Sequence, residues 1–261
     1  FMYFDEDLVL DIRLNTLNNS VDKFIIAEGT KDHMGNDKKL NFDMGNFKKF
    51  KNKIEYMVID DIPVKVPKFK KNWESAHLRD QFQRNSLSRG YEKFDDNDLI
   101  MISDIDEIPD PKKINIFDKK KNDYACFMLK NFQLKLNLFN ATSPFWSGTK
   151  ICEKKKLRSP QWLRNIKTSP RPFWKIYKPK TPQLIYNGGW HFSFLKTPEN
   201  IAKKIKAYSH QEFNQEKYTD IKNIEEKINN NQDIFDRNYD YKRISLDGEF
   251  PDYIVNNKEK F

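Results

Sequence analysis

Only two cysteines, Cys126 and Cys152, occur in 261 residues. They are too few for a disulfide framework and lack metal-site spacing, so free thiols in a reducing compartment are expected. No run of about 18 apolar residues appears, and no basic-then-apolar leader opens the chain, so neither a membrane span nor a signal peptide is expected. A cytoplasmic location follows as the expectation, with peripheral contact at a membrane surface the nearest approach to lipid. Internal repeats, low-complexity tracts and long linkers are also missing, and residues 1–261 are expected to form a single domain. No recognised DNA- or RNA-binding motif is present, so nucleic acid is not an expected partner.

What is present is charge and aromatic mass. Charged residues make up 33% and aromatic residues 14% of the chain, so its low hydropathy reflects a charged surface over a proper core. The net charge of +9, from 47 basic and 38 acidic residues, favours anionic partners such as nucleotide phosphates, acidic glycans or an anionic membrane. Much of it lies in lysine clusters at 48–53, 65–71, 119–121 and 154–156, which read as solvated faces and loops. Abundant Lys, Asn and Ile suggest an AT-rich bacterial or viral genome.

Apolar runs at 24–28, 54–59 and 98–104 end in carboxylates and read as strands. Asp5 is expected to cap a helix to about residue 17, with Leu10, Leu14 and Leu17 on one stripe. A second helix is expected over 74–89, closed by Gly90. Strands alternating with helices predict an α/β fold with a mostly parallel sheet flanked by helices. Segments 126–130 and 133–139 read as a hairpin or mixed sheet. Segments 184–187 and 190–194 flank Gly188-Gly189 like a hairpin and place His191 on a close-packed strand. Helices from Thr197-Pro198 and from Thr219 follow, the latter with Ile221, Ile224 and Ile228 on one face.

The third strand delivers Asp104, Asp106 and Glu107 within four residues. If the extended geometry continues, Asp104 and Asp106 share a face, and two close carboxylates repel unless a cation lies between them. Hard oxygen ligands suit Mg²⁺ or Mn²⁺, ions that keep waters and bridge to phosphates. The plainer reading is a turn rich in acids that cap helices. It is outweighed by the position of the motif at the carboxyl end of an apolar strand, where ligands gather in α/β sheets.

These residues resemble a known family. The acidic block Ser103-Asp104-Ile105-Asp106-Glu107-Ile108-Pro109 and the later block Gly189-Trp190-His191-Phe192-Ser193 carry the likeness. Asp11-Ile12-Arg13-Leu14, His33, Gln83-Arg84-Asn85, Trp146, Leu163-Arg164, Ser209-His210-Gln211-Glu212 and Phe250-Pro251 lie in order around them. The chain is similar to glycosyltransferase family 17. That likeness implies a GT-A type fold, a UDP-sugar donor carrying N-acetylglucosamine, Mn²⁺ or Mg²⁺, and inverting transfer to a glycan acceptor. Animal members carry a membrane anchor and stem that are not visible here, which leaves lipopolysaccharide, capsule or another glycan open as acceptor.

On this reading Asp104 and Asp106 hold the metal, His191 joins them, and Glu107 supports them or meets the sugar. Glu28 suits the ribose or uracil edge, Arg84 and Arg164 the diphosphate, and Trp146 or Trp190 a sugar face. An inverting transfer needs a base, for which Glu107, Glu212, Asp247 and Glu249 are candidates, with His210 to orient one of them. Each has an ordinary structural alternative as a surface ion pair, a helix cap or a core residue. Two other function classes compete. An Asp-x-Asp phosphatase or phosphotransferase would form an aspartyl-phosphate on Asp104, and a basic nucleic-acid-binding protein would show salt-dependent binding to oligonucleotides.

Overall fold

The computed structural model describes residues 1–63, 72–171, 174–175, 177–207 and 213–261, with side chains of the second helix described from residue 75. The basic cluster at 65–71 and the segment bearing His210 and Glu212 lie outside the described residues.

The first helix, α1 (Asp7–Leu17), buries Leu10, Leu14 and Leu17 on one stripe, as their spacing predicts, together with Val9 and Ile12. Its start differs from expectation. Glu6, not Asp5, takes the cap position and makes no side-chain cap bond. The Glu6 carboxylate instead accepts from the Phe4 and Asp5 N–H groups, while Asp5 pairs with Lys196.

β1 (Phe24–Gly29) pairs in parallel with β2 (Ile54–Ile59), Phe24 lying opposite Ile54 and Gly29 opposite Ile59. α2 (Asn72–Ser86) then tightens into a 3-10 turn at Leu87–Tyr91. Gly90 was expected to close this helix, but it sits inside that turn. There a Cβ would come within 2.6 Å of Ile25 Cγ2, so the glycine serves a close approach to β1.

A second sheet holds β3 (Leu99–Ile102), β4 (Glu107–Pro109), β5 (Tyr124–Gln133), β6 (Leu138–Asn140), β7 (Phe145–Glu153), β8 (Gln183–Ile185), β9 (Gly189–Ser193) and β10 (Tyr241–Arg243). Its strands run in the order β10-β6-β5-β7-β3, with β8 and β9 also on β5, and β4 on β9. The fold is thus mixed α/β, but the expectation of a mostly parallel sheet fails. β1·β2, β5·β8 and β5·β9 are parallel, whereas β3·β7, β4·β9, β5·β6, β5·β7 and β6·β10 are antiparallel. The connection 134–137 spans about four residues, enough to reverse the chain from β5 into β6 but far short of a parallel crossover; β6 and β7 both run antiparallel to β5, so 141–144 carries the chain onward in the same direction.

Two local expectations change as well. β5 continues unbroken through Gln133, with a bulge between Cys126 and Met128, in place of two short strands. The Gly188-Gly189 segment does not make a hairpin, because β8 and β9 both lie parallel to β5, one after the other. Gly189 has φ +138 and would place a Cβ 2.1 Å from the Ile108 carbonyl oxygen, a backbone approach only glycine permits.

α3 (Pro160–Asn165) is capped by Ser159. α4 (Pro198–Ala207), α5 (Glu216–Thr219), α6 (Ile221–Asn229) and α7 (Asp252–Val255) follow. Asp220, not Thr219, caps α6; Ile224 is buried while Ile221 is exposed. The main core gathers Leu10, Ile26, Ile105, Ile108, Phe132, Phe192 and Phe250. The Phe132 ring lies 5.1 Å from Phe250 and 5.5 Å from Phe192. Each fully buried phenylalanine adds roughly 2–3 kcal/mol of transfer free energy. Cys126 and Cys152 are free and buried. No helix among the described residues is long and apolar enough to cross a membrane.

Candidate active site

One cleft of about 640 Å³ brings together α2, the segment after β3, β9, α3 and α4; Arg84, Asp104, Asp106, Arg164, His191 and Lys204 line it. The acidic block does not continue β3. Residues 103–106 form a turn in which the Glu107 N–H donates to the Asp104 carbonyl at 3.1 Å, so strand alternation does not apply. Buried Ile105 anchors the turn in the core between the two aspartates. Glu107 was expected to point away if the strand continued. Its Oε2 instead accepts from the Asp104 N–H at 3.1 Å.

Arg13 of α1 holds this turn from below. Its guanidinium is buried and donates to the carbonyls of Glu107 at 2.7 Å and of Asp104 and Ile105 at 3.4 Å, and to Ser103 Oγ at 2.6 Å. Above the turn two further arginines converge on Asp104. Arg164 reaches Oδ2 at 2.8 Å and Arg84 reaches Oδ1 at 3.3 Å. Arg84 is itself steered by Asp80, one helical turn earlier, and by Gln161. Burial raises the Asp104 pKa, but Arg164 and Arg84 outweigh it and hold the carboxyl well below its usual range.

Glu107 is fully buried. Its Oε1 accepts from Arg164 and from the Trp146 indole N–H, both at 2.7 Å. Burial pushes its carboxyl up, Arg164 pulls it back, and the Asp104 carboxylate pushes it up again, to about 7.

Asp106 faces His191. The Asp106 Oδ1 and His191 Nε2 atoms stand 3.7 Å apart, too far for a hydrogen bond. Asn131 Nδ2 donates to the Ser143 carbonyl, which turns its Oδ1 toward His191 Nδ1 at 3.1 Å. Nδ1 must then carry the proton, and Nε2 presents a lone pair. Burial lowers the His191 pKa against the pull of Asp106 and Asp104, favouring that neutral form. The imidazole stacks on Trp146, centroids 4.5 Å apart at 12°. Two acceptors facing each other across 3.7 Å, with no proton between them, fit a divalent cation. The mixed nitrogen and oxygen donors suit Mn²⁺ better than Mg²⁺. Among the described residues no group of three or more His, Cys, Asp or Glu side chains is placed to hold a metal ion.

The remaining sequence candidates are placed elsewhere. Glu28 is fully buried and accepts from Lys38, the Asn41 and Phe42 N–H groups and the Tyr56 hydroxyl, which ties the 38–42 segment to β1. Trp190 is buried in the core and donates to the Glu249 carbonyl at 2.8 Å. Asp247 and Glu249 are exposed, the first accepting from the Glu249 N–H and the second pairing with Lys130; neither lines the cleft. Glu212 and His210 lie outside the described residues.

Several residues that build the site had no role assigned from the sequence. Arg13 carried a signal, since a charged residue beside a leucine stripe on a buried helix needs a partner. Asn131, Asp80 and Gln161 carried none, because their meaning comes from contacts made by distant segments.

In sequence, the chain is similar to known proteins. The model of glycosyltransferase family 17 matches residues 2–247. The human β-1,4-mannosyl-glycoprotein 4-β-N-acetylglucosaminyltransferase is 24% identical over 228 residues, covering 78% of this chain and 42% of its own length. Its rat counterpart is 24% and its mouse counterpart 23% identical, each covered over 41% of its length. The chain thus spans about two fifths of these relatives. No solved structure matches at a significant level.

Proposed function

The chain belongs to glycosyltransferase family 17, and we propose that it transfers N-acetylglucosamine, with inversion, from a UDP-sugar donor to a hydroxyl of a glycan acceptor, on a GT-A type scaffold. The observation that supports this best is the convergence of Arg84 and Arg164 on Asp104 beside the Asp106–His191 pair in one cleft. A departing nucleoside diphosphate concentrates negative charge where two guanidinium groups and a cation site already meet.

The chain's own residues have separable tasks. Arg84 and Arg164 bind and orient the diphosphate, Arg84 held in place by Asp80 and Gln161 and Arg164 by Glu107. Asn131 keeps His191 neutral with Nε2 open, and Trp146 fixes the plane of the ring. Asp106 and His191 would hold Mn²⁺; Asp104, the third ligand expected from the sequence, has both carboxylate oxygens taken by Arg84 and Arg164 instead. When bound, the cation supplies Lewis-acid stabilisation of the leaving diphosphate. Glu107 is locked by three donors, Asp247 and Glu249 lie off the cleft, and Glu212 lies outside the described residues. A phosphotransferase reading would need Asp104 as a free nucleophile, but both its oxygens accept from arginine.

Calorimetric titration of UDP and UDP-N-acetylglucosamine, with and without Mn²⁺, tests the proposal. Binding that needs Mn²⁺ is expected, weakened at least about tenfold by Asp106→Ala and by His191→Ala. Equal binding with and without metal, or full binding in either folded variant, refutes the metal assignment. Absence of binding under every condition refutes the donor.

A further inference from the structure

Besides the Asp106–His191 pair, the cleft is also lined by Gln133, Ser193 and Arg237, with the Phe194, Phe213 and Phe235 side chains. Gln133 and Ser193 sit opposite each other on the parallel strands β5 and β9, two residues beyond the Asn131–His191 pair. Alternation puts both pairs on one face, roughly 7 Å apart along the strands, about the span of one pyranose ring. Both residues line the cleft, as does Arg237.

The orientation of these groups is fixed from behind. Gln133 Oε1 accepts from the Tyr241 hydroxyl and from Arg237 Nη2, which turns the Gln133 amide nitrogen the other way. Arg237 is gripped by buried Asp233, through Nε at 3.0 Å and Nη2 at 2.6 Å, and lies over the Phe235 and Tyr239 rings. Asp233 also accepts from the Phe235 and Arg237 N–H groups, and its Oδ1 shares the single Tyr241 hydroxyl proton with Gln133. Among the described residues, Arg237 Nη1, Gln133 Nε2 and Ser193 Oγ make no hydrogen bond to the protein. A neutral sugar offers hydroxyls that both give and accept. A site of guanidinium and amide donors instead matches an oxyanion, which only accepts.

We propose that Gln133, Ser193 and Arg237 form a subsite for an anionic substituent, a carboxylate or phosphate, on the acceptor sugar. As an acceptor subsite it rests on the transferase reading. The same chemistry could come from the donor diphosphate, so the test separates the two sources. Removing Arg237 would orphan buried Asp233, and Gln133→Glu is therefore the main variant, placing negative charge among the donors. Ser193→Ala is the milder one.

The probes are mannose, glucuronic acid and mannose 6-phosphate, titrated by NMR into the protein with and without saturating UDP. The two anionic sugars are expected to bind at least about tenfold more tightly than mannose. UDP should leave that preference intact, Gln133→Glu should abolish it, and Ser193→Ala should reduce it. Equal affinity for all three sugars overturns the proposal, as does displacement of the anionic sugars by UDP or a preference retained in folded Gln133→Glu. If the anionic sugars bind and UDP does not, the anion site stands and the transferase reading falls. If UDP binds and charge makes no difference, the reverse holds.

Discussion

Glu6 is buried between Lys204 at 3.2 Å and Lys196 at 3.8 Å. Burial raises its pKa, but the two lysines and two backbone N–H groups outweigh that and bring it down to about 2 from 4.5. A depressed folded pKa stabilises the protein above the unfolded value, and that contribution fades as pH falls from about 4.5 to about 2. The shift corresponds to on the order of 3 kcal/mol. Urea unfolding of Glu6→Gln should therefore show a shallower loss of stability over that window than wild type; an identical acid limb would contradict it. Arg13 is a second residue whose burial sets its importance. Arg13→Met leaves the carbonyls of the acidic turn without their donor, and a loss of about 3 kcal/mol is expected in urea. Ser103→Ala, which removes one partner of Arg13, should cost about 1 kcal/mol.

At the level of elements, the Ile108–Gly189 contact decides how β4 meets β9. Gly189→Ala meets both a positive φ and a carbonyl oxygen 2.1 Å from the new Cβ. Thermal melting should show a destabilisation of at least about 2 kcal/mol; a melting temperature unchanged by the substitution would contradict this geometry. The individual strands were legible because β1, β2 and β3 are short apolar runs ending in acids. Their pairing was not, because β5 gathers four neighbours through contacts that no local pattern encodes. The acidic block was legible as a site but not as a turn, since Ile105 takes its place from packing in the core. Along β9, alternation already separates Trp190 from His191: when one faces the core, the other faces the cleft. That parity was readable in the sequence and favours Trp146 over Trp190 as the cleft tryptophan.

Across the whole molecule, one core cluster contains Phe1, Leu10, Phe24, Ile54, Phe132, Phe192 and Ile254, joining the small parallel sheet to the larger one. We propose that the chain unfolds as one cooperative domain. Calorimetry should then give a single transition with equal calorimetric and van't Hoff enthalpies, and two resolved transitions would contradict it. The same unity reaches the cleft, where Trp146 stacks on His191 and donates to Glu107 while remaining 38% exposed. Its indole is a built-in optical probe. The fluorescence difference between wild type and Trp146→Phe reads, without any label, the electronic state of the imidazole beside it.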